Sequence, residues 1–154
     1  MTVTLRLTAE DLRLVRLALL YHLGCPGAEL DASTGQRAAH GLAEVNAAIG
    51  ARDDSAATLA LEEEQKRKLL AAMLGCVNEL RVYHLNGGSP SMVPGFNETA
   101  CRLFPAMADD PEAALAVAES MLMLRRRLAR SEATEPGQPG TAELARRSRW
   151  PFRR

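Results

Sequence analysis

The stretch TVTLRLTAEDLRLV, residues 2–15, decides how the fold begins, because its hydrophobic period changes at one point. Thr8 has the properties of a helix N-cap, and Asp11 stands where its carboxylate can complete a capping box. The residues before Thr8 alternate between apolar and polar, which is the pattern of a half-buried strand. The apolar positions are Val3, Leu5 and Leu7. We therefore expect a strand over about residues 2–7 that leads directly into a helix over about residues 9–23.

The rest of the chain carries the spacing and the punctuation of further helices. Apolar residues recur every three or four positions, and N-cap residues, prolines and glycines bound each segment. The further predicted helices span about residues 34–49, 59–85, 97–104 and 111–131. The predicted fold class is mainly α: a four- to five-helix bundle with a short N-terminal β-strand and a flexible basic C-terminal tail. The predicted units are a helical domain, 1–132, and a linker with an arginine-rich tail, 133–154.

The composition places the chain among ordinary globular proteins. It has 154 residues, of which 47% are hydrophobic and 25% charged, as expected for a single domain. No segment approaches about 18 uncharged apolar residues, and the N-terminus lacks the hydrophobic region of a signal peptide. Three cysteines, an odd number, argue against a disulfide framework and agree with a reducing compartment. We therefore expect a cytoplasmic protein.

The formal net charge of zero conceals an acidic body and a basic end. Residues 1–124 contain 10 Lys and Arg against 16 Asp and Glu, whereas residues 125–154 contain 9 against 3. The final stretch, RRSRWPFRR, surrounds two aromatic residues with five arginines. The predicted binding residues of this tail are Arg146, Arg147, Arg149, Trp150, Phe152, Arg153 and Arg154. An acidic body with such a tail indicates electrostatic attraction to a partner or to the body itself.

Several partners fit the tail. Its aromatic residues can anchor in a pocket of a protein partner, or the whole tail can dock on the acidic body. Arginine also binds phosphates and stacks on bases, so nucleic acid is the alternative partner. An anionic membrane surface would attract the same charges and is the partner we favour least.

The opening stretch raises a separate nucleic-acid hypothesis. TVTLRLTAEDLRLV resembles the start of ribbon-helix-helix repressors, whose strands pair in a dimer and enter the major groove of DNA. The resemblance implies that Thr2, Thr4 and Arg6 would face DNA. It covers only about fifteen residues, and nine residues, GCPGAELDA, stand where the family has a short glycine turn between its helices. Residues 1–50 carry a net charge of −1, which disfavours DNA binding.

The strand itself predicts an assembly. A lone alternating strand in a helical protein needs a partner for its backbone, and a second copy of the same strand is the simplest one. We therefore expect a homodimer. The predicted dimer-strand residues are Val3, Leu5 and Leu7.

Two similar motifs, YHLGCPG at 21–27 and YHLNGGSP at 83–90, hold both tyrosines and two of the three histidines. Each Tyr-His pair falls in the last turn of a predicted helix, and glycine and proline follow, so helix termination explains most of the likeness. No strand like TVTLRL is expected after residue 59, which speaks against an internal duplication. We predict no metal site and no cofactor. The residues of a type that could bind zinc are His22, Cys25, His84 and Cys101.

These observations favour a non-catalytic protein and predict no catalytic residues. The leading prediction is an oligomeric helical interaction protein whose basic aromatic tail engages a partner or the acidic body. The first alternative is a nucleic-acid-associated protein that binds through the tail arginines. The second alternative is a metal-binding protein or enzyme that uses the His and Cys residues named above.

Overall fold

A computed structural model of the protein describes residues 1–31, 33–50 and 55–131. The predicted linker and tail lie outside the described residues. So do all the predicted binding residues of the tail: Arg146, Arg147, Arg149, Trp150, Phe152, Arg153 and Arg154.

The described residues form six helices and two strands, so the protein is mainly helical with a short two-stranded antiparallel sheet. In chain order the elements are β1 (Thr2–Leu7), α1 (Ala9–Gly24), α2 (Leu42–Gly50), β2 (Ala57–Glu62), α3 (Glu63–Leu85), α4 (Phe96–Leu103), α5 (Ala106–Asp109) and α6 (Ala113–Ala129). The starts and ends of α1, α4 and α6 agree with the prediction to within two residues. The short helix α5 was not predicted.

The junction between β1 and α1 confirms the prediction made from the opening stretch. The Thr8 hydroxyl accepts a hydrogen bond from the Asp11 N–H at 3.1 Å, and the Asp11 carboxylate accepts one from the Thr8 N–H at 2.8 Å. This is a complete capping box, and it satisfies two backbone donors at the start of the helix. The apolar side of β1 is buried in the core.

The second strand contradicts the prediction of a helix over residues 59–85. Residues 57–62 form β2, which pairs antiparallel with β1 so that Leu59 lies opposite Leu5 and Leu61 opposite Val3. Alanine, leucine and glutamate are good helix formers, but pairing with β1 and burial of the two leucines outweigh that local preference. The helix begins instead at Glu63, after a capping box in which the side-chain oxygen of Gln65 accepts the Glu62 N–H at 3.0 Å.

β1 is therefore not a lone strand, and the premise of the predicted dimer strand was wrong. Its backbone partner is β2 of the same chain, and Val3, Leu5 and Leu7 face the chain's own core. Pairing of β1 with a second copy stays a prediction. The expectation that no strand follows the middle of the chain was also wrong, because β1–α1 and β2–α3 are two strand–helix units with antiparallel strands.

The helix predicted over residues 34–49 begins later, at Leu42. Before it, the Asp31 carboxylate accepts hydrogen bonds from the Ser33 hydroxyl at 2.5 Å and from the Ser33 and Thr34 N–H groups at 2.8 and 3.0 Å. These hydrogen bonds lower the pKa of Asp31 to about 2. Ser33, the residue just before the predicted helix, therefore belongs to a turn, because the nearby Asp31 carboxylate binds its donors.

The core lies between the sheet and the long helices. α3 packs most extensively against α6 and α1. Phe96, at the start of α4, is fully buried and meets the Tyr21 ring edge-to-face at 6.4 Å between centroids. Within the described part of the chain, no helix is both long and apolar enough to cross a membrane.

Candidate interaction surface

Three of the four possible zinc ligands contact other groups, and the fourth, His84, lies in the last turn of α3 with a buried Nδ1 that has no hydrogen-bond partner. Nε2 of His22 lies 2.7 Å from Oε1 of Glu29, and the Cys25 thiol donates to the Tyr21 carbonyl at 3.2 Å. Cys101 lies near the Tyr83 hydroxyl, at 3.6 Å. Among residues 1–31, 33–50 and 55–131, no group of three or more His, Cys, Asp or Glu side chains is placed to hold a metal ion.

The Glu29 carboxylate explains the position of His22. Its Oε1 also accepts the Leu42 N–H at 3.2 Å, so the carboxylate joins the end of α1 to the start of α2. Burial raises the pKa of Glu29, but hydrogen bonds from His22 and from the backbone N–H groups of Leu42 and Ala43 outweigh it and lower the pKa overall. Glu29 was missed in the sequence because it lies in a loop with no helix-start signal beside it.

The second Tyr-His pair also lies at a helix end, as predicted. The Tyr83 hydroxyl donates a hydrogen bond to the carbonyl of Met107 at 2.9 Å, which links the end of α3 to α5. Gly87 has a positive φ of 59°, as expected after a helix. Gly24, which ends α1, has no positive φ. Its missing side chain instead makes room for Val93, because a Cβ at this position would lie 2.4 Å from a methyl group of Val93.

Exposed apolar side chains concentrate on α3 and α6. On α3 they are Leu74, Val82 and Leu85, and on α6 they are Leu115 and Met123. Leu85 is 78% exposed and Met123 63% exposed, so neither contributes much to the core. Leu74 and Leu85 are eleven residues apart, about three helical turns, so they lie on one face of α3. We call the exposed side of this helix pair the α3–α6 surface.

A groove of about 340 Å³ lies on this surface. Leu115, Leu122 and Met123 contribute apolar lining, and Arg81, Glu119 and Arg126 contribute charge. Protein–protein interfaces usually combine apolar and charged side chains in this way. Because the lining contains both signs of charge, it can be complementary to a second copy of itself.

The outer face of the sheet is where the ribbon-helix-helix resemblance places DNA contacts. Thr2, Thr4 and Arg6 are exposed there. Their partners on β2 are Glu62, Ala60 and Thr58 in the same order. The Thr2 hydroxyl donates to Glu62 at 3.1 Å. One arginine and one glutamate do not make the basic surface that binding to DNA phosphates requires.

The end of α6 is the basic part of the described surface. Arg126, Arg127 and Arg130 are exposed there, and a side-chain nitrogen of Arg127 donates to the carboxylate of Asp11. The buried Lys66 ammonium donates to the Ser131 carbonyl at 2.5 Å, and this contact ties the last described residue to the start of α3.

No protein-family model matches the chain, no curated protein matches it, and no solved structure matches it. A function has therefore to be inferred from the surfaces of the chain itself. Among the described residues, the α3–α6 surface and the basic end of α6 both have a composition suited to binding.

Proposed function

We propose that the protein is a non-catalytic, oligomeric interaction protein. In this proposal the helices form a bundle that pairs with a second copy through the α3–α6 surface, and the basic tail engages a partner or the acidic body. The exposed apolar side chains of the α3–α6 surface are the observation that carries the proposal. The proposal keeps the homodimer expected from the sequence and places its interface on the α3–α6 surface instead of on β1. The cytoplasmic location stays a prediction.

Burial of the exposed apolar side chains of the α3–α6 surface would supply the free energy of association. Covering a large apolar side chain that is otherwise exposed is worth about 1.5–3 kcal/mol, and monomeric proteins seldom expose large contiguous apolar patches. A two-fold interface brings the same patch of both copies together. Glu119 of one copy can then lie opposite Arg81 or Arg126 of the other, which would favour one register.

The test is the oligomeric state of Met123→Glu, measured by light scattering. We expect the unaltered chain to be a dimer and Met123→Glu to be a monomer with the same helix content, because the buried carboxylate would cost more than the interface gains. Met92→Glu is the matched control, since Met92 is 94% exposed and lies outside the α3–α6 surface. A monomeric unaltered chain, or equal disruption by Met92→Glu, would contradict the proposal.

Nucleic-acid binding through the tail is the second candidate, favoured by the exposed arginines that end α6. Arg126 and Arg130 would extend the basic charge of the tail onto the described surface. Fluorescence polarisation with labelled single- and double-stranded DNA would compare the full chain with one that ends at Glu132. Binding by the full chain alone would put this candidate first, and absence of binding by either chain at low salt would exclude it.

A further inference from the structure

We propose that the tail docks within its own chain, with Trp150 in a groove between α2 and β2 and the flanking arginines on the acidic rim of that groove. The inference rests on the proposed function, in which the tail engages a partner or the acidic body, and it names the place on the body. The groove has a volume of about 380 Å³. We call it the α2–β2 groove.

Four of the side chains that line the α2–β2 groove are apolar. Val45 and Leu59 are buried, and Ala48 and Ala60 are small and exposed. Its volume falls within the range of about 300–1,000 Å³ that is usual for ligand pockets. An indole ring needs such a site, because it combines a large apolar area with one N–H group.

The rim of the groove is acidic. Glu44, in the first turn of α2, and Glu62, at the end of β2, both line it. Arginine binds carboxylates through paired hydrogen bonds, so the arginines next to Trp150 match this rim. The groove on the α3–α6 surface is unsuited to the tail, because Arg81 and Arg126 lie at its edge.

One wall of the groove is held in an uncommon backbone conformation. His40, which lines the groove, has a positive φ of 53°, and this is infrequent for residues other than glycine. The Lys68 ammonium donates to the carbonyls of Ala39 and His40, at 3.1 and 3.4 Å, and holds this segment against α3. The groove therefore has a shape that exists before the tail binds.

The tail can reach the groove from the point where the described chain ends. The Ser131 carbonyl accepts a hydrogen bond from Lys66, and Gln65, the residue just before Lys66, lines the α2–β2 groove. Residues 132–145 can span at most about 46–50 Å when fully extended. That length is several times the diameter of a helix, about 10–12 Å, so the linker can pass from the end of α6 around the start of α3.

Fluorescence of the full chain tests the proposal, because Trp150 is its only tryptophan. We expect a blue-shifted emission at low salt that reverts to the emission of a solvent-exposed indole at high salt. Glu44→Lys and Ala48→Arg should each abolish the blue shift, since both positions are exposed and line the groove. Glu98→Lys, which also changes an exposed first-turn glutamate, should retain it.

Three results would overturn the docking: a solvent-exposed emission at every salt concentration, a blue shift that survives both groove variants, or equal loss of the shift in Glu98→Lys. Met123→Glu should keep the blue shift, and its loss in that monomeric variant would assign the tail to a second copy instead. Light scattering on the same samples separates the two proposals. A dimer with an exposed Trp150 overturns the docking alone, and a monomer with a buried Trp150 overturns the dimer alone.

Discussion

At the scale of single residues, the Glu29 side chain connects the end of α1 with the start of α2. It accepts hydrogen bonds from the His22 ring, at the end of α1, and from the first N–H of α2. A carboxylate at a helix N-terminus also interacts favourably with the helix dipole. His22 therefore has a structural role: it holds the Glu29 carboxylate at the end of α1. The residues around His22 in the sequence did not indicate this partner.

Glu29→Gln should make the protein less sensitive to acid. The pKa of Glu29 is lowered in the folded protein, so its charged form stabilises the fold above the unfolded pKa of about 4.3, and that stability is lost as the pH falls through the folded value. We expect urea denaturation to show a steeper loss of stability below about pH 4.3 in the unaltered chain than in Glu29→Gln. Glu98→Gln should keep the steep slope, and equal slopes in all three proteins would refute the assignment.

Tyr83→Phe should destabilise the protein by about 1–3 kcal/mol, the usual cost of leaving a buried acceptor without a donor. The hydroxyl is the hydrogen-bond donor to the Met107 carbonyl, and that bond is buried. Urea denaturation would give the change in unfolding free energy. Cys101→Ala removes the other neighbour of the hydroxyl and should cost less; a larger cost for Cys101→Ala would show that the sulfur contact matters more than the carbonyl.

At the scale of elements, the contact between α1 and α3 depends on a glycine. A Cβ at Gly75 would lie 2.5–2.9 Å from three atoms of the Tyr21 phenol group. The same ring makes an edge-to-face contact with Phe96. Gly75 therefore lets the tyrosine of α1 lie directly against the backbone of α3.

Gly75→Ala should destabilise the protein by about 1–3 kcal/mol through overpacking, although alanine in a helix interior is ordinarily more stable than glycine by about 1 kcal/mol. In a Tyr21→Leu background the same change should become neutral or stabilising, because the ring that it meets is gone. Thermal or urea unfolding of the four proteins forms a double-mutant cycle. A stabilising effect of Gly75→Ala in the unaltered chain would show that the ring can move aside.

The element that sequence reasoning misassigned, β2, shows where local preference loses. ATLALE continues into EEQKRK without a helix-breaking residue, and its composition favours a helix. Its alternating leucines are a sign of a strand, but three residues of alternation are fewer than the four to eight that distinguish a strand. The strand forms because β1, far away in sequence, offers a complete row of backbone partners.

At the scale of the whole molecule, opposite charges on the body and the tail should contribute to stability. A chain that ends at Glu132 should be less stable than the full chain at low salt by about 1 kcal/mol, the upper range for exposed ion pairs. The difference should vanish near 1 M salt, where the screening length is about 3 Å. Denaturation of both chains at the two salt concentrations measures it; a difference that persists at high salt would mean that the charges are not its source.

The sequence by itself determined the features that depend on residues close together in the chain. The alternation of β1, the Thr8–Asp11 capping box and the Tyr-His helix ends were all predicted, since each rests on contacts within about one helical turn. The division into an acidic body and a basic end was also predicted, because it depends only on amino-acid composition.

The tertiary structure alone decided which segments meet. It made β2 a strand, gave His22 its partner Glu29, and left Leu85 and Met123 exposed while similar apolar residues were buried. The pairing of β2 with β1 depends on residues distant in sequence, and Glu29 meets His22, seven residues away, only because the loop after α1 folds back. An apolar stripe looks the same in the sequence whether its own chain covers it or not. Both proposed binding surfaces therefore became visible in the folded chain, because they are what remains uncovered after α3 has packed on α1 and α6 and β2 has paired with β1.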